Sequence, residues 1–345
     1  MNWLFLLLLL IATPAQAYKF ASGSYTGNSA DGRNIVIAST TSPSVTSFQP
    51  DVVFVKCRGG QPMMWSTRDM IATLGEAAIR LDASTGIFTD VIQAFNSDGF
   101  QVGTSDLANA DTQTCYYTAL ANNGGDLAVG HVTGDSTDNR AIDISSTSLG
   151  AIADFSPEFV LVQTDDNSNS EAMFRTTAMS GDKSCFFQAF ACMSNGIQAF
   201  NGSGFEVGTD ATVNRSGQNV FYLAIKAVSG STSASSYVGN AVGDGVTNDN
   251  RAVTLPGFLP QFVIIKGESG SRVAIWRFKD NSGDEAFSSD ADVNTDRIQQ
   301  FLSTGFEVGT ALSVNENTVT MYYYALKSVP AAPATVRRHR PVVIQ

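Results

Sequence analysis

Acid–base and nucleophilic chemistry have little to work with in this chain of 345 residues. It holds two histidines, His131 and His339. A serine nucleophile needs an imidazole within hydrogen-bond reach and a turn that presents its hydroxyl, and no Gly-x-Ser-x-Gly elbow occurs. His131 is therefore read as an ordinary surface residue and the chain as non-enzymatic. Paired carboxylates would suffice for a glycosidase, but the recurring acids sit in Gly- and Asn-rich turns, where Asp and Asn side chains bond their own backbone. Calcium is the other chemistry these turns offer. Asp135 and Asp138 with Asn139, and Asp244 and Asp249 with Asn248, gather hard oxygens of the kind Ca²⁺ takes. The spacing is not that of a twelve-residue EF-hand loop, and each turn closes on an arginine, Arg140 or Arg251, that would repel a cation. An Asp–Arg pair clamping the loop is the expectation, calcium is the alternative, and no other cofactor is implied.

Aromatic side chains are the remaining candidates for contact with a ligand. Trp65, Phe174 and Trp276 occupy one strand position in three copies of a repeat, which is a packing pattern. Each copy also closes on an aromatic strand, Cys115-Tyr116-Tyr117, Val220-Phe221-Tyr222 or Met321-Tyr322-Tyr323-Tyr324. Side chains alternate faces along a strand, so some of these rings are expected to point outward. Tyr116, Tyr117, Tyr222, Tyr322, Tyr323 and Tyr324 are the resulting ligand-contact candidates.

The elements that carry these residues recur in a fixed order. The signature is Gly-Phe-x-Val-Gly-Thr at 99–104, 204–209 and 305–310, with Gln-Ala-Phe or Gln-Gln-Phe just upstream. Ahead of it stand a Gly/Asp turn ending in Arg33, Arg140 or Arg251, and then a Phe-x-Pro corner at 48–50, 155–157 and 258–260. An apolar run follows each corner at 52–55, 159–162 and 262–265. Proline fits the first residue of such a strand and not its interior. The repeat length is about 100 to 107 residues, the size of whole domains rather than of solenoid or propeller units. Short strands separated by frequent turn signals predict an all-β chain of three tandem antiparallel, jelly-roll-like β-sandwich modules. The expected boundaries are 18–127, 128–228 and 237–328, with a Ser/Gly linker at 229–236 and a Pro/Ala and basic tail at 329–345. One short helix is expected within 69–81, in an insertion that the other copies lack.

Residues 1–17 read as a secretory signal, from the apolar run Leu4 to Ile11 and the Ala15-Gln16-Ala17 cleavage pattern. No later stretch reaches the roughly 20 apolar residues of a spanning helix, so a secreted or cell-surface protein, periplasmic or extracellular, is expected. The net charge of −11 argues against nucleic acid, whose binding rests on Lys and Arg. Four cysteines allow three pairings. Cys57 and Cys115 fall in the first copy, Cys185 and Cys192 in the second, and the third has none, so 57–115 and 185–192 are expected as local reinforcement.

Several segments together carry a resemblance: Tyr25-Thr26-Gly27-Asn28 with Asp31-Gly32-Arg33, the stretch 48–53 (Phe-Gln-Pro-Asp-Val-Val), Phe174 to Asp182, and Asn201 to Thr209. They are similar to a tandem module of exported bacterial and phage tail-associated proteins, over residues 21–328. Ser66 and Phe278-Lys279-Asp280 depart from the pattern. The resemblance implies a β-sandwich building block and carries over no catalytic residue. A structural or adhesive surface protein is the expected function, with self-association or a cell-surface or glycan ligand. A carbohydrate-binding, lectin-like protein is the alternative, and a hydrolase accessory the third.

Overall fold

The computed structural model describes residues 18–41, 44–82, 86–147, 149–166, 171–270, 272–288 and 293–328. The signal at 1–17 and the tail at 329–345 lie outside the described residues. The fold is all-β and antiparallel, and one arrangement occurs three times. Each copy has a large sheet and a three-stranded sheet. The first large sheet runs, in spatial order, Tyr18–Thr26, Thr114–Asn122, Val52–Cys57, Met64–Thr67, Ala78–Arg80 and Ile87–Phe88. Leu127–Thr133, Asn219–Lys226, Pro157–Thr164, Met173–Thr176 and Cys185–Phe186 repeat that order. So do Thr232–Val238, Thr320–Leu326, Phe262–Gly267, Ile275–Phe278, Ala286–Ser288 and Val293–Asn294.

The signature segments Gly99–Val102, Gly204–Val207 and Gly305–Val308 are the central strands of the small sheets. Their phenylalanines, Phe100, Phe205 and Phe306, are buried and meet Tyr117, Tyr222 and Tyr323 edge-on at 5.2, 5.5 and 5.2 Å. The first glycine of the signature is dictated by close approach. A Cβ at Gly99, Gly204 or Gly305 would lie 1.9, 2.2 or 1.9 Å from the carbonyl oxygen of Ile35, Ile142 or Val253. Each hairpin also carries one bulged residue, Gln93, Gln198 or Gln299, where the register slips.

The apolar runs after the prolines explain how the copies sit together. In Val52–Cys57, Val53, Val55 and Cys57 join the core between large and small sheet, while Val52 and Phe54 face the other way. That second face is not solvent. Phe54, Trp65, Leu120, Leu161, Phe174, Leu223, Ile264, Trp276 and Leu326 form one shared core at the junction of the three large sheets. Phe159 stacks on Tyr324 at 4.5 Å, Phe187 on Trp276 at 4.9 Å, and Phe54 lies 6.3 Å from Phe262. The aromatic position at 65, 174 and 276 thus packs between modules rather than inside one. Tyr18 closes the ring from first copy to third, its hydroxyl donating to Ser231 O at 3.1 Å and Lys327 O at 2.8 Å.

Three equivalent polar side chains, Lys56, Gln163 and Lys266, are buried at the rim of the shared core. Two of them visibly reach into the preceding copy. Gln163 donates to Arg80 O at 2.5 Å and accepts from Trp65 Nε1 at 2.6 Å, and Lys266 Nζ donates to Gln188 O at 2.8 Å. Ion pairs bridge two of the three interfaces with their signs exchanged: Arg58 of the first copy meets Glu285 of the third at 2.5 Å, whereas Glu268 of the third meets Lys183 of the second. Such partly exposed pairs contribute roughly 0–1 kcal/mol each, so they favour one angular order of the modules more than they stabilise it.

Two expectations change. The Ser/Gly stretch expected as a linker at 229–236 is largely the edge strand Thr232–Val238, paired with Thr320–Leu326, so the third sandwich begins before residue 237. Thr232 is buried and Ala234 packs on the shared core; small side chains at this edge suit the approach of the second copy, whose Glu158 accepts from Ala234 N at 3.2 Å. The helix expected within 69–81 is the shorter Arg68–Leu74, capped by Thr67, whose hydroxyl accepts from Met70 N at 3.0 Å. The disulfides are Cys57–Cys115 and Cys185–Cys192, the first joining residues directly opposite on neighbouring strands.

Burial holds the Lys266 ammonium down at about 8. The unfolded chain, with an ordinary lysine, binds the proton more tightly than the folded one between about pH 8 and 10. Unfolding free energy of the native protein should therefore rise relative to Lys266→Met across that window, by roughly 1–3 kcal/mol. Urea titrations at pH 7.5 and 9.5 check this; parallel changes in the two proteins would refute the buried charge.

Candidate functional site

Burial relocates the tyrosine candidates. Tyr117, Tyr222 and Tyr323 lie in the individual sandwich cores and Tyr116, Tyr322 and Tyr324 in the shared core, each at most 5% exposed. Alternation does place neighbours on opposite faces, but both faces of every large sheet are covered, so none is an outward ring. Burial pushes the phenols of Tyr117, Tyr222, Tyr323 and Tyr324 up from their ordinary range. None of the six is placed to touch a ligand.

The arginine turns form a clamp that the sequence reading assigned to the wrong partner. Arg33, Arg140 and Arg251 donate through Nη1 to Thr26 O, Thr133 O and Val238 O at 2.6, 2.7 and 2.7 Å. The same nitrogens reach Oδ1 of Asn109, Asn214 and Asn315 at 3.1, 3.2 and 3.0 Å. These asparagines are fully buried, and each returns a bond from Nδ2 to the second signature glycine, Gly103 O, Gly208 O or Gly309 O, at 2.8–3.0 Å. Among the described residues only Arg140 pairs with a turn aspartate, Asp135, at 3.4 Å. Asparagine serves better because a buried amide satisfies donor and acceptor at once without carrying a charge out of water.

The calcium candidates are engaged in the same turns. Asp138 and Asp249 accept from the bulged Gln198 and Gln299 at 2.9 and 2.8 Å, as Asp31 does from Gln93 at 2.8 Å in the first copy. Asp135 accepts from Thr137 N at 2.8 Å, which holds its carboxyl low. Asp244 is held at about 2, first by the Thr247 hydroxyl and then by the backbone N–H groups of Thr247 and Val246. Among the described residues no three acidic, His or Cys side chains gather in a metal-holding group.

His131 is not an ordinary surface residue. Its Nδ1 lies 2.8 Å from Oδ2 of the buried Asp69 on the first-copy helix, and its ring lies 5.4 Å from Phe221. It is a bridge between the first two copies.

Residues unique to one copy build a cleft that combines charge with concavity. It has a volume of about 360 Å³ and lies where the first module hands over to the second. Its lining includes Lys19, Gln49, Asp51, Arg68 and Asn122 from the first copy and Leu127, Val129, Leu149 and Ile152 from the second. Asp51 is 7% exposed. Its carboxylate accepts from Asn122 N at 2.7 Å and pairs with Arg68 at 3.1 Å. Desolvation pushes this carboxyl up, against the Asn122 N–H and the charges of Arg68 and Lys19. Arg68 also donates to Gln49 Oε1 at 2.8 Å, and Gln49 Nε2 is held by Phe95 O at 2.7 Å. Arg68 Nε is buried without a hydrogen-bond partner. Lys19 lies 5.9 Å from the Phe48 ring and makes no ion pair among the described residues. Backbone register equates Lys19 with Asp126 and Ser231, Asp51 with Glu158 and Gln261, and Arg68 with Thr177 and Lys279. The other copies cannot assemble the same lining.

Calcium should leave the melting temperature unchanged, and Asp138→Asn or Asp249→Asn should cost less than about 1 kcal/mol. Thermal melts in calcium and in chelator check this; a calcium-dependent rise that either substitution abolishes would contradict the turn reading.

A comparison with curated proteins finds none that matches. One family model, a domain of unknown function designated DUF7483, matches residues 16–330 and so spans all three sandwiches at once. The chain belongs to the DUF7483 family.

Proposed function

We propose that the chain is an exported, non-enzymatic structural or adhesive surface protein, acting as a rigid block that displays three similar outer faces. The observation that carries this reading is the shared core: three sandwiches bury one face of each large sheet against the others and turn the signature sheets outward. The recurring polar residues, the arginines, asparagines and turn aspartates, are engaged in holding loops, so the repeat maintains a shape. Three equivalent faces at fixed separation raise avidity where each binds weakly. Two disulfides accord with an oxidising compartment, and no helix among the described residues is long and apolar enough to cross a membrane. Similarity of the repeat to exported and phage tail-associated modules supports the same reading. A lectin-like role is the second reading, favoured by the polar cleft beside Lys19.

Fractionation of producing cells should find the chain outside the cytosol with all four cysteines oxidised. The purified chain should bind saturably to intact cells or to itself by sedimentation. A reduced cytosolic protein, or an exported monomer that binds neither, would contradict the proposal.

A further inference from the structure

We infer that the Cys185–Cys192 disulfide is a redox latch: oxidised, it fastens loop 186–191 of the second copy into the junction of all three copies, and a dithiol reductant releases that loop.

The two disulfides sit in different places. Cys57 and Cys115 are fully buried in the core of the first sandwich. Cys185 and Cys192 pack on the shared core instead, Cys185 fully buried and Cys192 half-buried at its border. Strand register shows what this second bond replaces. Cys185 stands opposite Phe174 as Ile79 stands opposite Trp65 and Phe287 opposite Trp276. In the first and third copies the chain then turns back as a strand, pairing Ile79 with Ile87 and Ala78 with Phe88, or Phe287 with Val293 and Ala286 with Asn294. In the second copy the same ladder is reduced, among the described residues, to the single bridge Ser184–Met193. The disulfide takes the place of the other rung.

The loop held in this way touches both neighbours. Phe187 stacks on Trp276 at 4.9 Å, and its carbonyl accepts from Ala274 N at 2.8 Å. Gln188 O accepts from the buried Lys266 Nζ at 2.8 Å, and Gln188 Nε2 donates to Asp82 O of the first copy. At the foot of the loop Cys192 N donates to Glu268 O at 3.1 Å. Its far end is exposed, Phe190 at 46%, so the covalent bond supplies the hold that strand pairing gives the other copies. Closing a short loop restricts its opened states. Without the bond, detachment should become at least about tenfold more frequent.

The release step balances with a dithiol. One of its thiolates attacks Cys192 Sγ, the cysteine nearer solvent, and the Cys185–Cys192 bond breaks with Cys185 as the leaving thiolate. The second thiolate then attacks the reagent sulfur of the mixed disulfide and frees Cys192. The dithiol ends as a disulfide, and the protein has gained two electrons and two protons as two thiols.

The latch is a property of the fold and stands apart from the reading as a surface protein. Mild dithiothreitol on the purified full chain, followed by alkylation mapping and amide hydrogen exchange, tests it. Thiols should appear at Cys185 and Cys192 while Cys57–Cys115 stays closed. Amides of 187–192 and of Ala274 should then exchange at least about tenfold faster, those of Asn219–Lys226 should keep their rates, and reoxidation should restore protection. Cys185→Ser with Cys192→Ser should exchange like the reduced chain without any reagent. Reduction of this bond that leaves loop exchange unchanged overturns the latch. So does resistance of the bond to the dithiol, earlier opening of Cys57–Cys115, or faster exchange across the whole chain.

Discussion

The structure depends on large sheets that are apolar on both faces. A sandwich needs one covered face per sheet, and the small sheets supply that cover on the outside. The inner faces present Phe54 and Trp65, Phe159 and Phe174, Ile264 and Trp276, each worth roughly 1.5–3 kcal/mol when removed from water. Three such faces in one chain can only be satisfied by turning toward one another. The tandem repeat is therefore a closed ring of three, and its modules are mutually dependent.

Apolar burial alone would not fix which module follows which. That information lies in polar contacts at the rim of the core: Gln163 between Trp65 and Arg80, Lys266 on Gln188, His131 on Asp69, and two ion pairs of exchanged sign. Apart from Lys266, whose counterpart Lys56 is also a lysine, each differs from its counterparts, so the interfaces are chemically distinct, as specificity through mismatched charge requires. The Arg–Asn clamps act at the opposite end of the scale. They are nearly identical in the three copies and tie the arginine turn to the signature strand within one sandwich. Identical elements build the sandwich, and differing ones assemble the ring and shape the cleft.

The repeat, the strand order, the turn glycines and the disulfide partners were legible because each is local or periodic. Uninterrupted runs such as Val53-Phe54-Val55 and Val160-Leu161-Val162 also signalled strands buried on both faces, and the outward tyrosines were inconsistent with them. The buried asparagines had a signal too: Asn109, Asn214 and Asn315 each stand six residues after the second signature glycine. The Asp69–His131 bridge and the cleft had none. They join residues far apart in sequence that lack counterparts in the other copies, so neither periodicity nor spacing points to them.

Excision of the middle module separates one sandwich from the core it shares. A fragment of residues 127–226 would expose Leu127, Val129, Phe159, Leu161, Phe174, Phe221, Leu223 and Ile225 along one sheet face. It should aggregate or bind hydrophobic dye without a cooperative urea transition, while the full chain unfolds in one. A soluble monomeric fragment with dispersed amide resonances and its own cooperative transition would contradict the shared core.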